Sequence, residues 1–182
     1  MTSDARIRGT KGLGMGGHSN PYRGVTDDWL TPKEIILACG RFDLDPCAAP
    51  SPRPWPTAER HIELPDDGLA TEWSGRVWLN PPYGPQTGYW MRKLANHADG
   101  IALIFARTDT EMFHRYVWER ASALLFLEGR LFFHRPDGTR ADYNAGAPSV
   151  LVAYGERNAD TLHVICDLGA FVSLTSQEGR KP

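Results

Sequence analysis

Four segments of the chain are apolar at nearly every position, which is typical of strands buried on both faces of a sheet. They are residues 77–79, 101–106, 123–127 and 149–154. Between the first two, the segment 89–97 places Trp90, Met91 and Leu94 on one helical face and charged residues on the other. Strands that alternate with helices in this way predict an α/β fold built on an open sheet.

Capping residues predict where two further helices begin. Thr31, Pro32 and Glu34 have the spacing of an N-cap, a first helical residue and a capping box. Gly40 is placed to end that helix. A second helix is expected to extend to residue 118, with the polar run 107–110 as its cap.

The remaining elements complete the expected sheet. Residues 42–45 form a short strand that ends in an acid, and residues 131–133 are expected to pair antiparallel with 123–127 after a Gly-Arg turn. Asp137-Gly138 is a hairpin signal. Only 35 residues separate Asp45 from Asn80, whereas each βαβ unit needs about 30 residues. We therefore predict an abbreviated Rossmann-like sheet, mostly parallel with a C-terminal antiparallel strand pair.

Chain length and local composition indicate one folded domain. A chain of 182 residues is long enough for one core and too short for two. We predict a single domain over residues 26–172, preceded by a Gly-rich basic arm (1–25) and followed by a polar tail (173–182). The arm has the charge to lie along a phosphate backbone, and it also has the composition of a solvated tail.

Net charge and cysteine content limit which partners and which cellular location are expected. The formal net charge is −2, so a DNA partner would need a local patch of basic residues. Cys39, Cys47 and Cys166 are odd in number and form no metal-ligand pattern. We therefore expect reduced thiols in the cytoplasm and no metal site. No apolar run is long enough to span a membrane.

The strand at 77–79 runs directly into Asn80-Pro81-Pro82-Tyr83. Neither proline donates a backbone hydrogen bond and each fixes its own φ, so the strand must end in a rigid loop. Two acceptors, the Asn80 side-chain oxygen and the Pro81 carbonyl, are left unpaired by any strand, and Tyr83 adds a flat ring. Loops at the carboxyl ends of strands are where open α/β sheets bind ligands.

Such a loop suits a planar exocyclic amine, whose nitrogen lone pair is delocalised into its ring and is a poor nucleophile. Two acceptors on the amine hydrogens favour a pyramidal nitrogen and stabilise the charge that develops as a methyl group arrives. An aromatic ring holds a base flat by stacking. The structural alternative for these residues is a Pro-Pro turn with Tyr83 filling the core.

A series of short motifs follows in order along residues 27–156. They are Thr31-Pro32, Phe42-Asp43-Leu44-Asp45-Pro46-Cys47, Asp66-Asp67-Gly68-Leu69, the Asn80 loop, Ala106-Arg107-Thr108-Asp109-Thr110, Gly129-Arg130-Leu131 and residues 148–155. In this order they resemble the bacteriophage-type DNA N-6-adenine methyltransferases, a Dam-like family. The resemblance implies methyl transfer from S-adenosylmethionine to the N6 amine of adenine in DNA, with the target base flipped out of the duplex.

The resemblance also implies roles for individual residues. Asn80 and the Pro81 carbonyl would hold the amine, Pro82 would complete the catalytic loop, and Tyr83 would stack on the adenine. Arg107 and Asp109 would orient the base or the DNA backbone. The cofactor is expected to contact Thr31, Pro32, Asp45, Pro46, Cys47, Asp67 and Asn80. The chain departs from the family pattern after Asp45, where Ala48-Ala49-Pro50-Ser51-Pro52 replaces the usual Gly-x-Gly.

Several interpretations stay open from the sequence alone. The same loop would also bind the N4 amine of cytosine or a glutamine side chain, and the missing Gly-x-Gly fits a phage DNA-binding module that has lost turnover. Asp45 could be only a turn acid, Asp109 a helix cap and Arg107 a member of a surface ion pair. With no room for a separate target-recognition domain, site preference is expected from loops at 50–65 and 139–148. The resemblance places the protein in the cytoplasm of a bacterial host, encoded by a phage or prophage.

Overall fold

The apolar segments of the sequence form the centre of one sheet in the computed structural model, which describes residues 29–174. Its strands are β1 (Leu44–Asp45), β2 (Arg60–His61), β3 (Val77–Leu79), β4 (Gly100–Phe105), β5 (Ala123–Leu127), β6 (Ser149–Tyr154) and β7 (Gly169–Ser173). Its helices are α1 (Lys33–Cys39), α2 (Thr87–His97), α3 (Glu111–Phe113), which continues as a π-helical turn (His114–Trp118), and α4 (Glu156–Val164). None of the helices in this range is long and apolar enough to cross a lipid bilayer.

The α/β class is confirmed, but the prediction of a mostly parallel sheet was wrong. The strand order is β2-β1-β3-β4-β6-β5-β7. The first four of these strands pair in parallel. β6 inserts antiparallel between β4 and β5, and β7 pairs antiparallel with β5. β4 and β5 still run in the same direction, as a helical crossover requires, but the returning strand between them makes the longest ladders antiparallel.

Other differences follow from this strand order. Residues 131–133 do not pair with β5, because β6 and β7 occupy both of its edges. Neither β2 nor α4 nor β7 was predicted. β2 has only two residues and lies in the Pro-rich segment, and β7 ends at Ser173, inside the segment expected to be a polar tail. The predicted arm (1–25) and the tail from residue 175 lie outside the described residues.

The start of α1 also differs from the prediction, because Thr31 does not cap it. The helix begins at Lys33, and Pro32 occupies the N-cap position, where no side chain accepts a hydrogen bond. The Pro32 carbonyl accepts from the N–H groups of Ile35 and Ile36. The hydroxyl of Thr31 therefore takes no part in capping the helix, and the residue is buried.

Alternate residues of the central strands form two apolar layers, because successive side chains of a strand point to opposite faces. On one face Val77 and Leu79 pack with side chains of α2 and the π-helical turn. On the other face Trp78 and Leu103 pack with side chains of α1 and α4. The predicted burial of the central strands on both faces is confirmed.

Arg76, just before β3, ties both helices of the second layer to the amino end of the sheet. It is only 3% exposed. Its guanidinium donates to the carbonyls of Cys39 and Arg41 and to the side chains of Asn158 and Thr161. Desolvation by burial lowers the Arg76 pKa. This network lies at the amino end of β3, whereas the carboxyl end of β3 continues into the loop that begins at Asn80.

Candidate active site

Three parallel strands end at one edge of the sheet and bring the predicted motifs together. β1, β3 and β4 run in the same direction, so Asp45, Asn80 and Phe105 lie at neighbouring carboxyl ends. β1 and β3 share only the pair Leu44 and Val77 before they diverge. A narrow cleft opens where they separate. This is the position at which open α/β sheets bind ligands.

Asn80 is held through both its side chain and its backbone. Its Nδ2 donates to the Trp29 carbonyl at 3.4 Å, and its own carbonyl accepts from the Cys47 thiol at 3.3 Å. Asn80 Oδ1 accepts from the Tyr83 hydroxyl at 3.3 Å. No described residue donates to the Pro81 carbonyl. Of the two acceptors predicted to hold an amine, one is therefore occupied by the protein's own tyrosine in this conformation.

Cys47 joins the loop after β1 to the loop after β3. Burial, and then the neighbouring Asp45 carboxylate, raise the pKa of the Cys47 thiol well above its usual range. The sulfur therefore keeps its proton and remains a donor to Asn80. This contact lies beyond the point where the backbone ladder between the two strands has ended.

The ring of Tyr83 packs inward. It stacks on Phe105 with centroids 4.1 Å apart and planes 8° apart, and it meets the ring of Phe133 nearly edge-on at 6.3 Å. Burial raises the pKa of the phenol well above its usual range, so the hydroxyl remains a donor. This is the packing that the core-filling alternative expects. A base that stacks on Tyr83 must use the opposite ring face or separate this aromatic pair.

The cleft between β1 and β3 collects several of the predicted cofactor residues. Its volume of about 10 Å³ admits about one water molecule. Four predicted residues and three that sequence reasoning missed share its lining: Thr31, Asp45, Cys47 and Asn80, with Arg53, Thr57 and Trp78. Arg53 and Thr57 were missed because they lie in the Pro-rich segment, where an arginine between two prolines was the only signal.

Asp45 is the buried acid of this cleft, with 4% of its surface exposed. One carboxylate oxygen accepts from the Thr57 hydroxyl at 2.5 Å and the other from the Cys47 N–H at 3.1 Å. Burial raises the Asp45 pKa to about 6, while these hydrogen bonds and the charge of Arg53 limit the rise. The group is thus ionised at neutral pH, although no cation of a described residue pairs with it.

Two polar atoms that belong to residues of the cleft have no partner. Thr31 Oγ1 and Trp78 Nε1 are both buried and make no hydrogen bond within the described part of the chain. Native proteins leave few buried polar groups unpaired, and each such group calls for an explanation such as a water or ligand. A hydroxyl and an indole N–H beside the Asp45 carboxylate suit a polar ligand.

Three other predicted cofactor residues lie around the cleft and do not line it. Pro32 and Pro46 are buried, whereas Asp67 is exposed. Asp67 accepts from the Leu69 N–H at 2.8 Å within a turn. At the next residue, Gly68, an added Cβ would lie 1.8 Å from the Pro46 carbonyl oxygen. Glycine therefore lets this turn pack directly on the loop after β1.

Arg107 and Asp109 are exposed in the segment that follows β4. The alternatives given for them are wrong in this structure. Arg107 forms no ion pair with a described residue. The cap of α3 is Thr110, whose hydroxyl accepts from the Phe113 N–H at 3.3 Å. Both charged groups thus remain candidates for contacts with DNA.

Two loops far apart in sequence meet beside the cleft. Trp55 of the Pro-rich segment donates to the Thr31 carbonyl at 3.0 Å, and its ring meets the His134 ring edge-on at 5.1 Å. Gly138, at φ +87°, packs on Pro54 and forms the predicted turn. One of the two loops expected to set site preference, 50–65, therefore contacts residues 134–138, which directly precede the other, 139–148.

The fold and its geometry together define an α/β protein with a candidate ligand site at the carboxyl edge of its sheet. At that edge, a loop with two hydrogen-bond acceptors adjoins a cleft that contains a buried acid. The chain belongs to the DNA N-6-adenine-methyltransferase (Dam) family, whose family model matches residues 18–172. This confirms the resemblance drawn from the ordered motifs, and the family implies methylation of the adenine N6 amine in DNA. Searches of curated proteins and of solved structures gave no match.

Proposed function

We propose that the protein transfers a methyl group from S-adenosylmethionine to the N6 amine of an adenine flipped out of double-stranded DNA. Family membership supports adenine in DNA as the substrate. The observation that carries the proposal is the loop after β3, where consecutive prolines fix two acceptors, on Asn80 and Pro81, beside the Asp45 cleft. Because Asn80 and Pro81 are not exposed on the surface, a base must leave its duplex to reach them.

Asn80 and Pro81 act on the amine nitrogen. Hydrogen bonds from the two amine hydrogens to these acceptors favour a pyramidal nitrogen, turn its lone pair outward and stabilise its developing charge. The contact of the Asn80 side chain with Trp29 and that of its backbone carbonyl with Cys47 hold the residue in place before a substrate binds. Removal of one preorganised group of this kind lowers kcat by roughly 100- to 1000-fold.

Tyr83 has to exchange partners when a base binds. In the observed conformation its hydroxyl donates to Asn80 Oδ1, the position that the adenine amine takes in the proposal. The exchange replaces one hydrogen bond by another, so its net cost is about 1 kcal/mol or less. The base then stacks on the ring face opposite Phe105, a contact worth about 1–3 kcal/mol.

The residues of the cleft fit the amino-acid end of S-adenosylmethionine. The buried Asp45 carboxylate suits an ammonium group, and Thr31 Oγ1 and Trp78 Nε1 lack partners. When bound, the cofactor supplies a methyl carbon made electrophilic by its sulfonium. Since the cleft holds about 10 Å³, its walls must separate for a ligand, and the wall carrying Arg53 and Thr57 belongs to an irregular loop.

The proposal is tested by incubating the protein with double-stranded DNA and S-adenosylmethionine labelled in the methyl group, then digesting the DNA to nucleosides. Label in N6-methyl-2′-deoxyadenosine is the expected result. Label in N4-methyl-2′-deoxycytidine would identify another amine as the substrate. Cofactor binding without label in DNA would identify a DNA-binding module without turnover.

Asn80→Ala is the matching variant for this assay. It is expected to lower turnover by at least about 100-fold. Binding of S-adenosylhomocysteine, measured by calorimetry, should be largely retained, because the other residues that line the cleft are unchanged. Equal turnover of variant and wild type would refute the role of the Asn80 side chain.

A further inference from the structure

The cleft is lined by two opposite charges that do not pair with each other. Of the described residues that line it, only Asp45 and Arg53 are charged. Both are largely buried, with 4% of Asp45 and 11% of the Arg53 side chain exposed. Asp45 accepts from Thr57 and Cys47. Arg53 has an ion-pair partner in Glu63, whereas Asp45 has none among the described residues. A charge withdrawn from water without a partner is costly, so a ligand that brings a cation to Asp45 would relieve that cost.

Arg53 is anchored at the wall of the cleft but keeps part of its donor capacity. Its Nε and Nη2 donate to the Ala49 carbonyl at 3.1 and 2.6 Å, and Nη2 also pairs with Glu63 at 2.6 Å. Ala49 lines the cleft together with Arg53, whereas Glu63 does not. Nη1 donates to no acceptor among residues 29–174. The guanidinium is thus held in place with one nitrogen left for a ligand.

We infer that Arg53 binds the carboxylate of the cofactor's amino-acid end while Asp45 binds its ammonium group. The inference rests on the proposed function, because it assigns a residue to that same cofactor. An α-amino acid carries both charges on one carbon, which matches a narrow cleft lined by one acid and one guanidinium. Guanidinium groups bind carboxylates through charge-assisted hydrogen bonds in a fixed geometry.

The assignment also accounts for the departure from the family pattern after Asp45. A Gly-x-Gly loop offers backbone N–H groups to a ligand, but Pro50 and Pro52 have none. The N–H of Ala48 is already used by the Ile62 carbonyl. A side-chain donor within the same loop replaces the missing backbone donors.

The test compares two ligands, S-adenosylhomocysteine and its decarboxylated analogue, which keeps the ammonium group and lacks the carboxylate. Affinities are measured by calorimetry for the full wild-type chain, Arg53→Gln and Glu63→Gln. Wild type is expected to prefer S-adenosylhomocysteine by roughly 10- to 100-fold, the range of one charge-assisted contact. Arg53→Gln should lose this preference while binding the analogue as wild type does. Glu63→Gln, which removes the ion-pair partner outside the cleft, should keep the preference.

The other outcomes separate the assignment from the proposed function. Equal weakening of both ligands in Arg53→Gln would mean that Arg53 only supports the Pro-rich loop, and the assignment would be overturned. Loss of the preference in Glu63→Gln as complete as in Arg53→Gln would overturn it as well. If wild type binds both ligands equally, the assignment of Arg53 is wrong, whereas the proposed use of S-adenosylmethionine is unaffected. If wild type binds neither, the proposed use of S-adenosylmethionine fails and the assignment falls with it.

Discussion

The substitution Asp45→Asn tests whether the buried charge of Asp45 contributes to ligand binding at the expense of folding stability. The substitution removes the charge and preserves the size of the side chain, and its amide oxygen can still accept from the Cys47 N–H. Asparagine therefore imitates the protonated acid. If the charge is present for binding, its loss should stabilise the free protein and lower its affinity for the ligand.

The size of the effect follows from the Asp45 pKa, which rises from an ordinary 3.8 to about 6 on folding. Each pKa unit corresponds to about 1.4 kcal/mol, so at neutral pH the ionised group costs the folded state about 3 kcal/mol. The folded state holds this proton more tightly than the unfolded state. Stability from Asp45 is thus fully present below pH 3.8 and is lost as the pH rises to about 6.

The assay is urea unfolding of wild type and Asp45→Asn between pH 4 and pH 7.5. The variant should exceed wild type by up to about 3 kcal/mol at pH 7, and the difference should shrink toward zero near pH 4. His61, whose pKa is lowered by burial, is common to both proteins, and its titration cancels in the difference. The charge of Arg53 acts on the wild-type carboxylate alone, and its effect is already contained in the Asp45 pKa of about 6. The exposed Asp66, changed to asparagine, is the control and should shift stability by less than about 0.5 kcal/mol.

The same variant should bind S-adenosylhomocysteine at least about tenfold more weakly at pH 7, because a buried charged contact is lost. A destabilised Asp45→Asn protein at pH 7, or a stability difference that does not change with pH, would contradict the reasoning. Unchanged ligand affinity would remove Asp45 from the site.

Four further predictions concern the loops, the core and DNA. Tyr83→Phe keeps the ring but frees the acceptor amide, so the KM for DNA should fall about fivefold in the methylation assay. Cys47→Ala loses the thiol contact between the two loops, so kcat should fall about tenfold, whereas the core change Cys39→Ala should lower only stability. Arg76→Ala leaves several buried acceptors unpaired and should cost about 3 kcal/mol or more in urea unfolding, against less than about 0.5 for the exposed Arg41→Ala. DNA affinity in fluorescence titrations should fall at least about tenfold between 50 and 200 mM salt, because local arginines must contact phosphates.

Each of these has a result that would contradict it. For the tyrosine, it is a KM that rises or does not change. For the cysteines, it is an equal kcat in the two alanine variants, since a packing defect alone would then explain both. For the arginines, it is an equal loss of stability at the buried and the exposed position. For DNA, it is an affinity independent of salt.

The sequence by itself determined the features that depend on residues close together in the chain. The apolar runs define the central strands, since a strand buried on both faces admits no polar position. The two prolines after Asn80 end β3 and leave the Pro81 carbonyl without a strand partner, because proline has no N–H and a fixed φ. The order of the motifs was enough to predict the family, which the match over residues 18–172 confirmed.

What only the tertiary structure decided depends on residues distant in the chain. The insertion of β6 between β4 and β5 made half of the strand junctions antiparallel, and no local pattern records which strand lies beside which. Arg53 became a site candidate only through the packing that places it with Asp45 in one cleft. Tyr83 turned inward because Phe105 offers it an aromatic face. Short-range sterics act between neighbours in sequence, whereas these contacts form only when the whole core has closed.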